Sequence, residues 1–509
     1  MRKYLAPVMA LVFMASFAWT VRAVADQQTL AEKLLIILKQ NHQITQEQYN
    51  ELLQEARKEK AQQKTAVQKQ VKAETAQAAK QYKATHPLGV KASWKHDELF
   101  FETNNGNFTM HVGGYAQLDF GGADMNDRMR QAFTGSKNDL NGYGAEVRRL
   151  RLSLQGTMYR DFDYNVGVEL GGGNVVLKDA YISYYGFPCV ANIRVGHMKE
   201  PFSLEELTSS NWFEFTERSL DNAFVTSNGQ QDRNMGVMLF NTEFDQRMTW
   251  AAGGYIQQYN PSGTSYQAGG FNNANVSGRL TFLPWYADKG CELVHLGIGY
   301  RHLFRSDNTD DWLSSSKATS AAYAFDFLSL PEFHLANVKT VNTGGLTAES
   351  GDQINPELAV VYGPFSVQGE FFDTFLNDYT TNDKTFTNPN LSGYYVMASW
   401  FLTGEHRNYD RKYGVFGRPK LCCNFDPNAG TWGAWEVAAR YSSIDLTDKG
   451  VTGGSEQDWN GSLIWYLNPN LRWMFDYIHA HVDGMQHTTS TFVHNGDANI
   501  IDTRFQIVY

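Results

Sequence analysis

"DTRFQIVY", residues 502–509, sets Arg504 and Gln506 against Phe505, Ile507 and Tyr509 in strict alternation. Side chains of a strand point to opposite faces with a period of two, so the stretch reads as a strand with one polar and one apolar face. In lipid, an open sheet edge leaves N–H and C=O groups without partners. A strand with its apolar face in lipid is therefore expected to close a sheet against the first strand of the same chain. That reading turns Phe505, Ile507 and Tyr509 toward lipid, and Arg504 and Gln506 toward a wet interior.

The same alternation, or a strand-like composition, recurs in sixteen segments centred near residues 114, 152, 166, 181, 194, 239, 253, 279, 298, 359, 369, 397, 437, 461, 476 and 504. An even number closes an antiparallel barrel with both ends on one side. Connections alternate too: "YRDFD", "GFPC", "EFDQR", "YGPF" and "YLNPN" are tight, while those near 121–145, 198–234 and 305–355 are long. Outer-membrane barrels have short periplasmic turns and long external loops in this way. Residues 403–431 break the rule, because 29 residues stand where a periplasmic turn belongs. Either that side carries an insertion or strands are missing from the count. The expected fold class is all-β, a 16-stranded antiparallel transmembrane β-barrel with an N-terminal periplasmic helical segment. Aromatics at 14% and 44 Gly in 509 residues, with a negative mean hydropathy, suit such a barrel. An exported carbohydrate-binding β-protein would share the composition; the periodicity favours the barrel.

Residues 1–25 read as an export signal: Arg2 and Lys3, an apolar stretch, then Ala23-Val24-Ala25 as a cleavage site. Residues 26–86 lack Gly and are rich in Gln, Lys, Ala and Glu, as a periplasmic helical segment would be. Thr45 and Gln48 form a capping-box pattern, and the helix from about 46 to 84 would be roughly 58 Å long. Its apolar seam is too sparse for a tight coiled coil, which leaves a loose trimeric bundle or a solvated single helix. Residues 87–106 are a linker and 107–509 the outer-membrane β-barrel, in which 198–234 is the expected pore-constricting loop.

In "EVRRLRLSLQG", residues 146–156, Leu150, Leu152 and Leu154 belong to the lipid face. Arg149, Arg151, Ser153 and Gln155 then line the lumen, and Arg148 lies on the opposite face. The same argument sends Arg194, Arg279, Arg301, Arg440, Arg472 and Arg504 inward, and Lys199 is the cation of the 198–234 motif expected to face the pore. Guanidiniums stay charged and bind oxyanions bidentately, so a column of them could pass an anion along. The acids Asp119, Asp163, Glu169, Asp179, Glu370, Glu436 and Asp476 also point inward, and could pair every arginine into a neutral wall. Residues 87–509 hold 31 basic against 47 acidic residues, a net of −16. Only a segregated arrangement of charge could favour anions.

The stretches "EVRRLRLSLQG", "VVLKDAYISYYG", "IRVGHMKEPFSLEELTSS", "FLTGE", "GAWEVAARYSSIDL" and "WYLNPNLRWMFDY" resemble the phosphate-selective porin O and P family over almost the whole mature chain. The resemblance implies a trimer of 16-stranded barrels in the bacterial outer membrane, each with an external loop folded into its pore and cations guiding anions. Inorganic phosphate or polyphosphate is the cargo it implies, and Arg149, Arg151, Arg194, Lys199, Arg279, Arg301, Arg440 and Arg472 the anion path. Two alternatives stand beside it: a general, weakly selective porin, and an envelope tether whose N-terminal helices contact peptidoglycan.

No G-x-S-x-G or H-E-x-x-H stretch suggests an enzyme, and no cofactor, metal or nucleic-acid partner is expected. "HAH" at 479–481 reads as alternating strand residues near a loop. Cys189, Cys291, Cys422 and Cys423 fall at turns. The first two should stand roughly 19 Å apart around the wall, beyond the ~7 Å limit for a disulfide.

Overall fold

The computed structural model describes residues 35, 37–41, 43–85, 89–95, 98–133, 142–173, 175–187, 191–226, 232–256, 273–305, 324–336, 338–380, 386–486, 492–493 and 495–509. The expected signal falls outside them, as does Cys189. The chain divides into two compact units at Gly89/Val90. In the first, helix α1 (Gln46–Thr85) opens on the expected capping box. Thr45 N–H donates to Gln48 Oε1 at 3.0 Å and Gln48 N–H to Thr45 Oγ1 at 3.3 Å.

Sixteen strands of the second unit close one antiparallel barrel. They are β1 Thr109–Met125, β2 Gly142–Met158, β3 Phe162–Glu169, β4 Val176–Tyr184, β5 Asn192–Lys199, β6 Arg233–Glu243, β7 Met248–Ile256 and β8 Asn273–Ala287. Then follow β9 Glu292–Arg305, β10 Ser350–Tyr362, β11 Phe365–Asn377, β12 Asn390–Phe401, β13 Ala434–Asp448, β14 Val451–Asn468, β15 Leu471–Asp483 and β16 Gly496–Val508. Each holds one of the sixteen expected centres. Neighbours in sequence are neighbours in the sheet, and β16 pairs β1 from Tyr115↔Val508 to Met125↔Ala498. Below that seam, a hairpin of Val90–Lys95 and Glu98–Thr103 continues the same edge of β1, pairing Leu99↔Val112 through Glu102↔Thr109.

Strand β16 shows the logic of the wall. Asp502, Arg504 and Gln506 are buried inside, whereas Ile501, Phe505 and Ile507 are each close to half exposed on the outside. This is the inverse of a soluble barrel and matches a lipid solvent. Large exposed aromatics gather where strands meet the short connections: Tyr159, Phe162, Phe244, Trp285, Tyr362, Phe365, Trp400 and Trp432. They form an interfacial girdle at this turn end.

The interior is filled from both ends. Residues 200–226 of loop 200–232 fold into the lumen, and so do 324–336 and 338–349 of the long β9–β10 connection. At the loop end, the inward faces of β9, β11–β13, β15 and β16 are apolar, with Leu303, Leu376, Leu391, Ile444, Ile478 and Ile500 packed against Phe202, Phe224, Phe325, Phe327 and Phe333. On β15 the polarity therefore flips: Ile478, Ala480 and Val482 point inward and His479 and His481 outward. Residues 402–433 are an insertion at the turn end, with the strand count intact. It forms two small hairpins, Asn408–Asp410 with Val415–Gly417 and Phe425–Asp426 with Thr431–Trp432. Its Tyr409 and Phe416 pack inside the barrel on Leu204, Leu293 and Val361. Cys291, Cys422 and Cys423 are free thiols.

At the closing seam, Gly114 and Tyr509 exchange backbone hydrogen bonds of 2.9 and 3.0 Å. A Cβ on Gly114 would stand 2.1 Å from the Arg151 carbonyl oxygen and 2.9 Å from the Tyr509 ring. The carbonyl belongs to the ladder and cannot retreat. Gly114→Ala is expected to destabilise the barrel by roughly 1–3 kcal/mol, read as a lower melting temperature of the purified protein; an unchanged value would refute the seam geometry.

Candidate pore and its charged lining

Loop 200–232 is fixed by the wall from β9 to β16. Glu370 accepts the N–H groups of Leu204 (2.9 Å) and Glu205 (2.7 Å), capping the short helix Leu204–Leu207. Asp476 accepts Thr216 N–H at 2.8 Å. Arg472 donates to the Phe213 and Ser210 carbonyls at 2.7 and 3.3 Å, and Gln506 to that of Asn211 at 3.1 Å. Arg301 donates to the Phe224 carbonyl at 2.6 Å and lies over the Phe202 ring. Arg440 joins Glu205 (3.2 Å) of this loop to Glu332 (2.5 Å) of the 324–349 segment. Each bond satisfies a group that burial would otherwise leave without a partner.

Glu217 is the centre of this docking. Its carboxylate meets Arg148 at 2.7 Å, Arg149 at 3.0 Å and Arg504 at 2.8 Å, and Arg504 also pairs Asp119 at 2.6 Å. Burial alone would raise the Glu217 carboxyl, yet the three guanidiniums hold it well below the usual carboxylate range.

A cavity of about 830 Å³ lies open against the β1–β5 wall. Its lining includes Arg148, Arg149, Arg151, Lys178, Lys199, Arg218, Arg233 and Arg418, against Glu98, Asp179, Glu217 and Asp232. That is eight cations and four acids on a chain whose net charge is −10. Partners temper the surplus: Arg151 pairs Glu169 at 3.2 Å, Arg233 pairs Asp179 at 2.9 Å, and Arg418 pairs Glu98 at 3.2 Å. One buried acid, Glu206, serves two cations, Lys199 at 2.8 Å and Arg218 at 3.2 Å.

The residues singled out from sequence fall into three groups. Arg149, Arg151 and Lys199 line this cavity. Arg194 and Arg279, with Lys199, line a smaller chamber of about 200 Å³, where Arg279 is held by Glu357 at 2.7 Å. Arg301, Arg440 and Arg472 line neither; all are at most 2% exposed and serve as loop anchors. Face assignment placed them inward correctly, but loop 200–232 covers them.

Arg148 corrects the expected opposite face. Gln117 pairs Arg149 and Leu118 pairs Val147, so Arg148 is the extra residue of a β-bulge, and it turns into the lumen beside Arg149. Lys178 is the extra residue of a second bulge, between Gly167↔Asp179 and Val168↔Leu177, and also reaches the cavity. Adjacent arginines in "RRLR" were the only trace of the first bulge in the sequence.

A pore-sized lumen narrowed by an inward loop, inside an inverted β-barrel, defines a channel of the outer-membrane porin class. The profile of the family described as Phosphate-selective porin O and P matches residues 108–509, and the chain belongs to that family. It is 24% identical to Porin O of Pseudomonas aeruginosa over 439 residues, 80% of this chain and 90% of that one. An uncharacterised protein of Caulobacter vibrioides is 27% identical over 390 residues, 76% and 70% of the two chains. Among solved structures, the anion-selective porin from Comamonas acidovorans aligns with a TM-score of 0.46 and 11% identity, over 79% of this chain and 100% of that one. The outer-membrane channel DcaP of Acinetobacter baumannii gives 0.46 and 10%, over 80% and 99%.

Asp221 of loop 200–232 is fully buried. Burial, then the negative charges of Glu205 and Glu370, push its carboxyl well above the usual range. A raised carboxyl contributes full docking stability below the ordinary carboxylate range and loses it as pH climbs toward the raised value. Asp221→Asn keeps the shape without the charge. Wild-type melting temperature is expected to fall as pH rises above the ordinary carboxylate range and the variant's to fall less; equal slopes would contradict the burial of this group.

Proposed function

We propose that this porin passes small anions, with phosphate or a related oxyanion as cargo, through the cavity beside β1–β5. The surplus of cations over acids in that lining carries the reading. A partly dehydrated oxyanion loses water hydrogen bonds, and guanidiniums replace them with charge-assisted ones. Because most cations here already share a carboxylate, each site is weak enough to release its anion to the next. The name of the family to which the chain belongs agrees with this reading.

The test is phosphate block of chloride current through single channels. Arg151→Glu reverses a charge at the wall and is expected to weaken block about tenfold or more, since roughly 1.4 kcal/mol already gives that factor. Lys449→Glu, on the exposed β13–β14 turn away from the cavity, should leave it unchanged. Equal effects of both, or none from Arg151→Glu, would favour a general porin.

Two further parts of the reading concern assembly. Strands β3–β7 have 8 to 11 residues, against 12 to 18 for the others. Tilted spans need roughly 9–11 residues, so this wall has the least length to spare, and we place the contacts of a homotrimer on it. The helical segment before residue 86 extends into the periplasm, where its Gln, Lys and Ala surface suits peptidoglycan contact. Deleting residues 27–85 is expected to leave a folded, heat-resistant barrel, seen on gels as unaltered heat-modifiable migration. Loss of that species would make the segment part of barrel assembly.

A further inference from the structure

The smaller chamber differs in kind from the main cavity. It adjoins the main cavity at Asp179, Lys199 and Leu207 and lies between β4–β8 and the turn-end insertion. Two of its cations, Arg194 and Lys412, form no ion pair with any acid among the described residues. Both lie over aromatic rings instead. The Arg194 guanidinium stands 4.2 Å from the Tyr181 ring centre and 5.0 Å from that of Phe240, and Lys412 Nζ stands 4.8 Å from Tyr185 and 5.1 Å from Tyr413. Arg194 donates its Nε–H to Ser183 at 2.9 Å and also reaches the Tyr185 hydroxyl, which fixes the guanidinium against the rings. Met238 and Leu207 complete an apolar side.

Inorganic oxyanions gain nothing from apolar walls, because they are polar over their whole surface. An anion with a ring or alkyl body gains twice: its charged head meets cations that have no acid competing for them, and its body displaces water from aromatic and aliphatic surface. At about 200 Å³ the space is below the roughly 300–1,000 Å³ of drug-sized sites, which suits a single ring with one charged group. We propose that this chamber is a second binding site, for small organic anions of the aryl carboxylate or aryl phosphonate class, beside the route of inorganic anions. It rests on the anion-channel reading above and adds a substrate class to it.

The probes are phenylphosphonate and methylphosphonate, which share a head group and differ in the ring. In wild-type channels phenylphosphonate is expected to block chloride current roughly threefold or more better than methylphosphonate, the scale of one ring contact with a cation. Lys412→Gln, on an exposed turn, and Phe240→Leu, which keeps an apolar side chain, should each bring the ratio of the two affinities close to one. Phosphate block should be unaffected by either. A wild-type ratio near one, or a ratio that survives both substitutions, would overturn the proposal. Failure of phosphate itself to block the wild-type channel would instead sink the anion-channel reading.

Discussion

The structure depends on one carboxylate set among three guanidiniums. Glu217 draws Arg148, Arg149 and Arg504 to the tip of loop 200–232 and so decides where in the lumen the loop lies. Charges removed from water gain only if their partners are complete, and removing one side of such a group leaves uncompensated charge in a dry place. Arg440 between Glu205 and Glu332 repeats the device, and ties two inward segments to one wall. The loop is thus held where its Glu205, Glu206 and Glu217 are paired and where Arg148 and Arg149 still border the open space.

Charge separation follows from that placement. Behind the loop lie Asp221, Glu332, Glu370, Glu456, Asp458, Asp476 and Asp502, all buried, together with the anchoring arginines. In front, the wall from β1 to β5 is rich in cations. A chain with an excess of acid can therefore present a cationic passage, because the loop acts as a partition between two populations of inward side chains. Field lines in a narrow, low-dielectric passage report the near lining more than the distant total.

Much of this was legible in the sequence, for a physical reason. Lipid outside and water inside impose period-two alternation, and that pattern or a strand-like composition marked the sixteen strands, the closing strand at 496–508 included. The inward set of Arg149, Arg151, Arg194, Arg279, Arg301, Arg440 and Arg472 followed from the same rule. What each does there did not, because period two names a face and says nothing of what packs on it. Arg301, Arg440 and Arg472 meet loop carbonyls and carboxylates hundreds of residues away or in another segment. Arg148 and Lys178 were hidden because a bulge shifts the register by one, and no residue type announces it. The 29 residues at 403–431 read either as an insertion or as strands missing from the count. They are an insertion whose Tyr409 and Phe416 seek apolar surface inside the barrel.

The central claim is that a local cationic lining outweighs an acidic chain. Its most direct measure is the reversal potential of single channels under a potassium chloride gradient. The account predicts a sign that reports chloride as the more permeant ion, with the preference shrinking as salt screens the lining. A reversal potential that reports potassium as the more permeant ion would contradict it.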